Sequence, residues 1–78
     1  MKILKIGKSE SNDIYKEFKN DPTVSRVHCE IFIDDKKNAF LTDLKSTNGT
    51  KVNGARIEKA KIKSGDRVEM GAVIISVR

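Results

Sequence analysis

The strongest constraint on the fold is an alternating run over residues 27–34. Its odd-numbered positions are apolar and share one face of an extended backbone: Val27, Cys29, Ile31 and Ile33. The even-numbered positions share the opposite face: His28, Glu30 and Phe32. A period of two residues is typical of a strand with one buried face, so this run predicts a β-strand inside a sheet.

Shorter pieces of the same kind cover the rest of the chain. We predict strands over residues 3–6, 39–44, 50–52, 56–58, 67–70 and 73–77, the last of which should close the core. Asn48-Gly49 and Asn53-Gly54 indicate turns with positive φ. Residues 14–18 fit either a strand or one helical turn. Many short strands without a long amphipathic helix predict a small antiparallel β-sandwich or a barrel, as one domain over residues 1–78.

Composition limits the partners that such a domain can have. With 78 residues, the core is near the lower size limit for independent folding. A formal net charge of +5 favours anionic partners. One alternative is a nucleic-acid-binding β-barrel, but the lysines are scattered and Phe, Tyr and Trp make up only 5% of the chain, which leaves little for base stacking. We therefore expect no nucleic acid as a partner.

The single cysteine, Cys29, excludes an intrachain disulfide. Its place in the alternating run predicts a buried apolar side chain, and a lone thiol suits a reducing compartment. No stretch is long enough for a signal peptide or a transmembrane helix. We expect a cytoplasmic domain.

The chain lacks the residues for catalysis or for binding a metal. Ser25, His28 and Asp43 could form a triad on paper, but no nucleophile elbow surrounds the serine. One His beside one Cys does not give the spacing of a zinc site, and no phosphate-binding Gly-x4-Gly-Lys loop occurs. We expect a binding module that is not an enzyme and needs no cofactor.

Two polar motifs are the best candidates for a binding site. The first is Ser25-Arg26-Val27-His28, and the second is Ser46-Thr47-Asn48-Gly49-Thr50. Polar loops at the same end of a sheet, with cations nearby, predict a concave site for an anion such as phosphate. For Asn53-Gly54, ordinary turn chemistry is a sufficient explanation.

Together with Gly7-Lys8 and Val52-Asn53-Gly54, these motifs resemble the forkhead-associated (FHA) domain, a β-sandwich that binds phosphothreonine. The resemblance runs in the family's order over almost the whole chain. It implies an FHA-like sandwich with the site on loops at one end, an open edge near Ile3, and a phosphothreonine-containing protein or peptide as partner in signalling or regulated assembly.

The resemblance also implies roles for single residues. Ser25 and Thr47 would contact the phosphate, Arg26 the phosphate or the flanking peptide, and Asn48 the peptide main chain. Lys8 would be the cation on the phosphate.

Other positions would support the site. His28 and Ser46 would brace the loops, and Gly7 and Gly49 would supply backbone freedom and close approach. Three further positions would shape the second motif's loop: Thr50, Val52 and Asn53.

Lys8 departs from the family pattern, which usually has Arg at this position. An arginine fork holds two phosphate oxygens at once, whereas lysine is a point charge. This departure leaves phosphate-independent protein binding as the alternative function.

Overall fold

The chain folds into two packed antiparallel sheets, as the sequence predicts. The computed structural model describes residues 1–16 and 18–77. The strands are β1 Lys2–Ile6, β2 Cys29–Ile33, β3 Ala39–Asp43, β4 Thr50–Val52, β5 Ala55–Ile57, β6 Lys59–Ile62, β7 Arg67–Met70 and β8 Val73–Ser76. The first sheet has the order β1-β2-β3-β6, and the second has the order β5-β4-β7-β8. Within residues 1–16 and 18–77, no helix is long and apolar enough to cross a membrane.

Strand alternation places the core between the two sheets. Leu41 pairs with Ile31 across β2 and β3, on the face that also carries Cys29. Met70 and Val68 of β7 face them from the second sheet. The buried apolar side chains form one cluster: Ile6, Phe18, Val24, Cys29, Leu41, Ile62, Val68 and Met70.

Residues 14–24 close one side of this core without forming a regular strand. Ile14 makes a single bridge to Ile6, and the backbone then turns through bonds from Phe18 N–H to the Tyr15 carbonyl and from Asp21 N–H to the Phe18 carbonyl. Phe18 is buried, which agrees with the turn rather than the strand interpretation of residues 14–18. Glu17 lies outside the described residues.

The central strand is shorter than the alternation predicts. It begins at Cys29, so Val27 is 37% exposed rather than part of the apolar face, and His28 is fully buried. The chain bends at residues 26 and 27, so the alternation does not extend back to Val27, and His28 is buried because its ring bonds to the backbone of Ser25 and Gly49. The buried thiol of Cys29 is as predicted.

Three further differences concern the strands after residue 52. β5 is Ala55–Ile57, one residue earlier than predicted, and β6 at Lys59–Ile62 was not predicted. β6 is an edge strand with exposed lysines, and such charged edges carry a weak strand signal. β8 closes the core only in part: Val73 and Val77 pack against the core cluster, but β8 is the edge of the second sheet and Ile74 is 59% exposed.

Asn53 lies in the β4–β5 turn and does not shape the second motif's loop. Its φ is 52°, and the φ of Gly54 is 86°, as expected for an Asn-Gly turn. Its side chain donates to Asp66 Oδ1 and accepts the N–H of Arg67. The open edge predicted near Ile3 is present, because β1 is an edge strand of the first sheet and, among the described strands, pairs with β2 alone.

Candidate functional site

Three loops meet at one end of the sandwich because of where the strands begin and end. Loop 1 (residues 7–13) follows β1, loop 2 (residues 20–28) precedes β2, and loop 3 (residues 44–49) joins β3 to β4. Since β1 and β3 both run antiparallel to β2, all three loops emerge at the same end. Both polar motifs of the sequence therefore lie here.

Backbone hydrogen bonds hold loop 1 against loop 2. The N–H of Lys8 donates to the Ser25 carbonyl at 3.1 Å, and the N–H of Ser9 donates to the Arg26 carbonyl at 3.1 Å. A Cβ on Gly7 would collide with the Arg26 carbonyl, so only glycine permits this approach. The contact places Lys8 beside Ser25.

His28 joins loop 2 to loop 3. Its Nδ1 accepts the N–H of Ser25 at 3.1 Å, and its Nε2 lies 2.9 Å from the Gly49 carbonyl. Because Nδ1 is an acceptor, the proton is on Nε2 and donates to Gly49. The imidazole therefore joins two backbone groups that lie 24 residues apart in sequence, the Ser25 N–H and the Gly49 carbonyl.

Two further side chains connect loops 2 and 3. Ser25 Oγ accepts the N–H of Thr47 at 3.0 Å, and the Asn48 amide donates to the Thr23 carbonyl at 2.7 Å. The Ser25 hydroxyl proton and the Asn48 Oδ1 make no hydrogen bond within residues 1–16 and 18–77. Both groups can therefore bond to a ligand.

The base of loop 3 is built around a carboxylate. Asp43 Oδ1 accepts the hydroxyls of Ser46 and Thr50, and Asp43 Oδ2 accepts the N–H of Ser46. Burial acts to raise the pKa of Asp43, but the hydrogen bonds from Ser46 and Thr50 outweigh it and hold the pKa below its usual value. Ser46 and Thr50 are both buried, so these bonds fix the start of loop 3 to the end of β3.

All five residues predicted to contact a phosphopeptide line one depression of about 250 Å³. They come from all three loops: Lys8, Ser25, Arg26, Thr47 and Asn48. Of the predicted supporting residues, Gly7 packs on the Arg26 carbonyl and His28 bonds to the Ser25 N–H. Ser46 bonds to Asp43 at the start of loop 3, and Gly49 follows Asn48 with a φ of 81°. Two cations and several hydroxyl or amide groups thus face one small concave surface.

Sequence reasoning gave no role to two residues at this end. Thr23 lines the depression, donates its hydroxyl to Asp21 and accepts the N–H of Ala72 at 2.8 Å. Arg56 of β5 lies with its guanidinium against Gly49. The two-residue Asn-Gly turn pairs Arg56 with Lys51 of β4, so the register of this hairpin could have indicated its position.

The groups that could suggest chemistry at this end are inert or scattered. Burial raises the pKa of the Cys29 thiol to about 12, which leaves it a poor nucleophile. Over residues 1–16 and 18–77, no three His, Cys, Asp or Glu side chains come together as metal ligands.

Comparisons with known proteins agree with this geometry. The family model described as the FHA domain matches residues 4–71. The chain is 45% identical to the FHA domain-containing protein FhaA of Mycobacterium tuberculosis over 58 residues, which are 74% of this chain and 11% of FhaA. The curated relatives are longer, and the chain covers between 5% and 40% of their length.

Solved structures show the same fold. A structure from a study of phosphothreonine-dependent FHA domain interactions matches with a TM-score of 0.88 and 37% identity, over 97% of this chain and 75% of that one. The N-terminal FHA domain of a S. cerevisiae protein, in complex with a phosphothreonine peptide, matches with a TM-score of 0.79 and 28% identity, over 91% of this chain and 57% of that one. The chain belongs to the FHA domain family.

Proposed function

We propose that this FHA domain binds phosphothreonine-containing segments of partner proteins at the depression between its three loops. The observation that carries the proposal is the convergence of five polar and cationic side chains on that depression. The S. cerevisiae relative was solved with a phosphothreonine peptide, which supports the same ligand class for this chain.

Ser25 and Thr47 supply neutral donors to the phosphate. Because Ser25 Oγ already accepts the Thr47 N–H, its hydroxyl proton is directed to another acceptor. Thr47 is exposed at the rim, where its hydroxyl can bond to a second phosphate oxygen. Hydrogen bonds to a charged group contribute about 1.5–3 kcal/mol each.

Lys8 and Arg26 supply the positive charge. Backbone bonds hold Lys8 next to Ser25, so its ammonium reaches the depression even without the planar fork of an arginine. Arg26 is exposed on the same wall, and its guanidinium contacts the phosphate or the residue beside it.

Asn48 holds the peptide main chain. One amide hydrogen is used on the Thr23 carbonyl, which fixes the side chain in place. Its Oδ1 then accepts a peptide N–H, and its second amide hydrogen donates to a peptide carbonyl. Gly7, His28, Ser46 and Gly49 hold these groups in position and do not touch the ligand.

The module performs no chemistry and binds reversibly. We place it in the cytoplasm, where threonine kinases act and where the free Cys29 thiol stays reduced. Attachment to a longer protein would let phosphorylation of a partner recruit that protein.

The test is a titration of the domain with a phosphothreonine peptide library and with its unphosphorylated twin. We expect micromolar binding of the phosphorylated library alone, weakened by Ser25→Ala and by Asn48→Ala. Asn38→Ala, at the other end of the sandwich, serves as the control and should leave binding unchanged. Equal binding of both libraries would refute the proposal and favour phosphate-independent protein binding.

A further inference from the structure

A second concave surface lies between loop 3 and the strands β5 and β6. This depression has a volume of about 830 Å³, and three cations line it: Lys45, Arg56 and Lys59. Ser46 lines it as well, directly next to Thr47 of the phosphothreonine depression. Consecutive residues of loop 3 therefore line the two depressions, Ser46 the second and Thr47 the first.

Arg56 is held close to loop 3 by the absence of a side chain at Gly49. A Cβ on Gly49 would lie 2.7 Å from Arg56 Nε and 2.9 Å from Cζ. The guanidinium therefore occupies the space that a side chain at position 49 would fill. Gly49 is only two residues from Thr47. Two residues of chain span at most about 7 Å, so an extended peptide bound at Thr47 can reach Arg56 with a residue near the phosphothreonine.

Positive charge exceeds negative charge in this depression, and the Lys59 ammonium also lies 5.9 Å from the centre of the Phe40 ring. Asp43 and Glu58 line the same depression, so three cations face two carboxylates, and Asp43 Oδ1 accepts the hydroxyls of Ser46 and Thr50. In the part of the chain that the structure describes, the ion pair within 4.0 Å is that of the Met1 ammonium with Asp35, so neither carboxylate pairs with Lys45, Arg56 or Lys59.

The opposite side of loop 3 has a different character. The depression there is lined by Thr23, Gly71 and Ala72, and its charged residues are one cation and one carboxylate, Lys51 and Glu69. A peptide that crosses loop 3 thus meets an excess of positive charge on one flank and balanced charge on the other.

We propose that the basic depression formed by Lys45, Arg56 and Lys59 binds acidic side chains that flank the phosphothreonine on one side. This inference rests on the proposed function and specifies its ligand class: a phosphothreonine segment with Asp or Glu clustered on a single flank. Charge-assisted hydrogen bonds from Arg56 supply directional contacts, and the lysines supply attraction that salt screens.

The test uses three phosphothreonine peptides of one length, titrated by calorimetry at low and high salt. The first has three Asp residues before the phosphothreonine, the second has three Asp residues after it, and the third has Asn at all six flanking positions. We expect about a 5-fold tighter Kd for one Asp peptide over the Asn peptide, little change for the other, and loss of the gain in 0.5 M NaCl.

Variants separate a local subsite from the general attraction of a +5 domain. Arg56→Gln should abolish most of the gain, and Lys59→Gln part of it. Lys36→Gln removes the same charge from the turn at the other end of the sandwich and should leave the gain intact. Equal gains for both Asp peptides, or a gain that survives Arg56→Gln, would overturn the inference.

The two proposals fail differently in this experiment. If the Asn peptide binds and neither Asp peptide binds more tightly, the acidic subsite is refuted while phosphothreonine binding stands. If none of the three peptides binds, the proposed function itself is refuted, and the subsite with it.

Discussion

The two ends of the sandwich use the same polar residue types in opposite ways. At the end far from the loops, Asp34 accepts the N–H groups of Lys36 and Asn38 and the Asn38 amide, all within four residues of sequence. At the loop end, Ser25 bonds to Thr47 and Asn48 to Thr23, across 22 and 25 residues. The far turn is a local structure, whereas the loop end exists only when three loops have come together.

The difference also decides which end can bind a ligand. The Asp34 turn uses its bonding groups on itself. At the loop end, Ser25 and Asn48 each use one polar group to position themselves and keep another for a ligand, the Ser25 hydroxyl proton and the Asn48 Oδ1. The comparison therefore predicts that substitutions at the loop end affect stability or binding far more than substitutions at the far turn do.

The largest expected effect on stability is that of His28→Ala. It removes a fully buried ring and leaves the Ser25 N–H and the Gly49 carbonyl without partners, which should lower the free energy of unfolding by about 3 kcal/mol. Urea unfolding followed by circular dichroism measures it. Asn38→Ala, which removes one bond of the Asp34 turn, should cost less than about 1 kcal/mol. Equal losses of unfolding free energy in the two variants would show that the loop end is no more sensitive to substitution than the far turn.

Ser25→Ala should have the largest effect on binding among the variants that still fold. Loss of one charge-assisted hydrogen bond corresponds to a Kd for a phosphothreonine peptide that is about 10- to 100-fold weaker. Calorimetric titration gives the Kd, and a thermal melt of the same sample shows that the domain is folded. A Kd within 2-fold of the unmodified protein would remove Ser25 from the site.

The hydrogen bonds to Asp43 at the base of loop 3 should make the free energy of unfolding fall in acid. The pKa of Asp43 is lowered in the folded state, so the unfolded chain takes up protons first as the pH falls. The stabilisation is complete above the unfolded-state pKa near 4 and is lost as the pH falls through the lower folded-state pKa. The pKa values of Asp21, Asp34 and Asp66 are also lowered and act with the same sign.

Asp43→Asn should cost about 1–2 kcal/mol at pH 7 and lose less stability than the unmodified protein between pH 5 and pH 3. Urea unfolding at pH 7, 5, 4 and 3 measures both effects. Asp34→Asn, at the far turn, should also reduce the loss of stability in acid, because the pKa of Asp34 is lowered as well. A pH dependence of Asp43→Asn identical to that of the unmodified protein would show that Asp43 does not contribute to the acid response.

Lys8→Arg should produce the smallest change, and it is the one expected gain. A guanidinium can hold two phosphate oxygens where the ammonium holds one, so the Kd for a phosphothreonine peptide should tighten about 3- to 10-fold. Lys8→Gln tests the charge alone and should weaken binding. If Lys8→Arg leaves the Kd unchanged, the side chain at position 8 does not contact the phosphate.

The sequence predicted the parts of the molecule that local patterns determine. The alternation at residues 29–33 and the Asn53-Gly54 turn each follow from neighbouring residues, and both are present. The β6 strand was missed because two of its four residues are exposed lysines, whose edge position only the tertiary fold explains. His28 belongs by alternation to the solvent face, and only its bonds to two loops account for its burial.

The candidate site was predictable as far as motifs identify residues. Lys8, Ser25 and Asn48 were proposed from their motifs, and the fold brings them to one depression. Arg56 and Thr23 were given no role, because their positions depend on strand register and on long-range bonds to Ala72 and Asn48.

The most direct test of the central claim is a nuclear magnetic resonance titration of the ¹⁵N-labelled domain with a phosphothreonine peptide. We predict that the amide signals of Lys8, Ser25, Arg26, Thr47 and Asn48 shift together with increasing peptide, while those of residues 34–38 stay in place. The unphosphorylated peptide should shift none of them. Shifts centred on residues 34–38, or an identical response to both peptides, would contradict the assignment of phosphothreonine binding to the loop end.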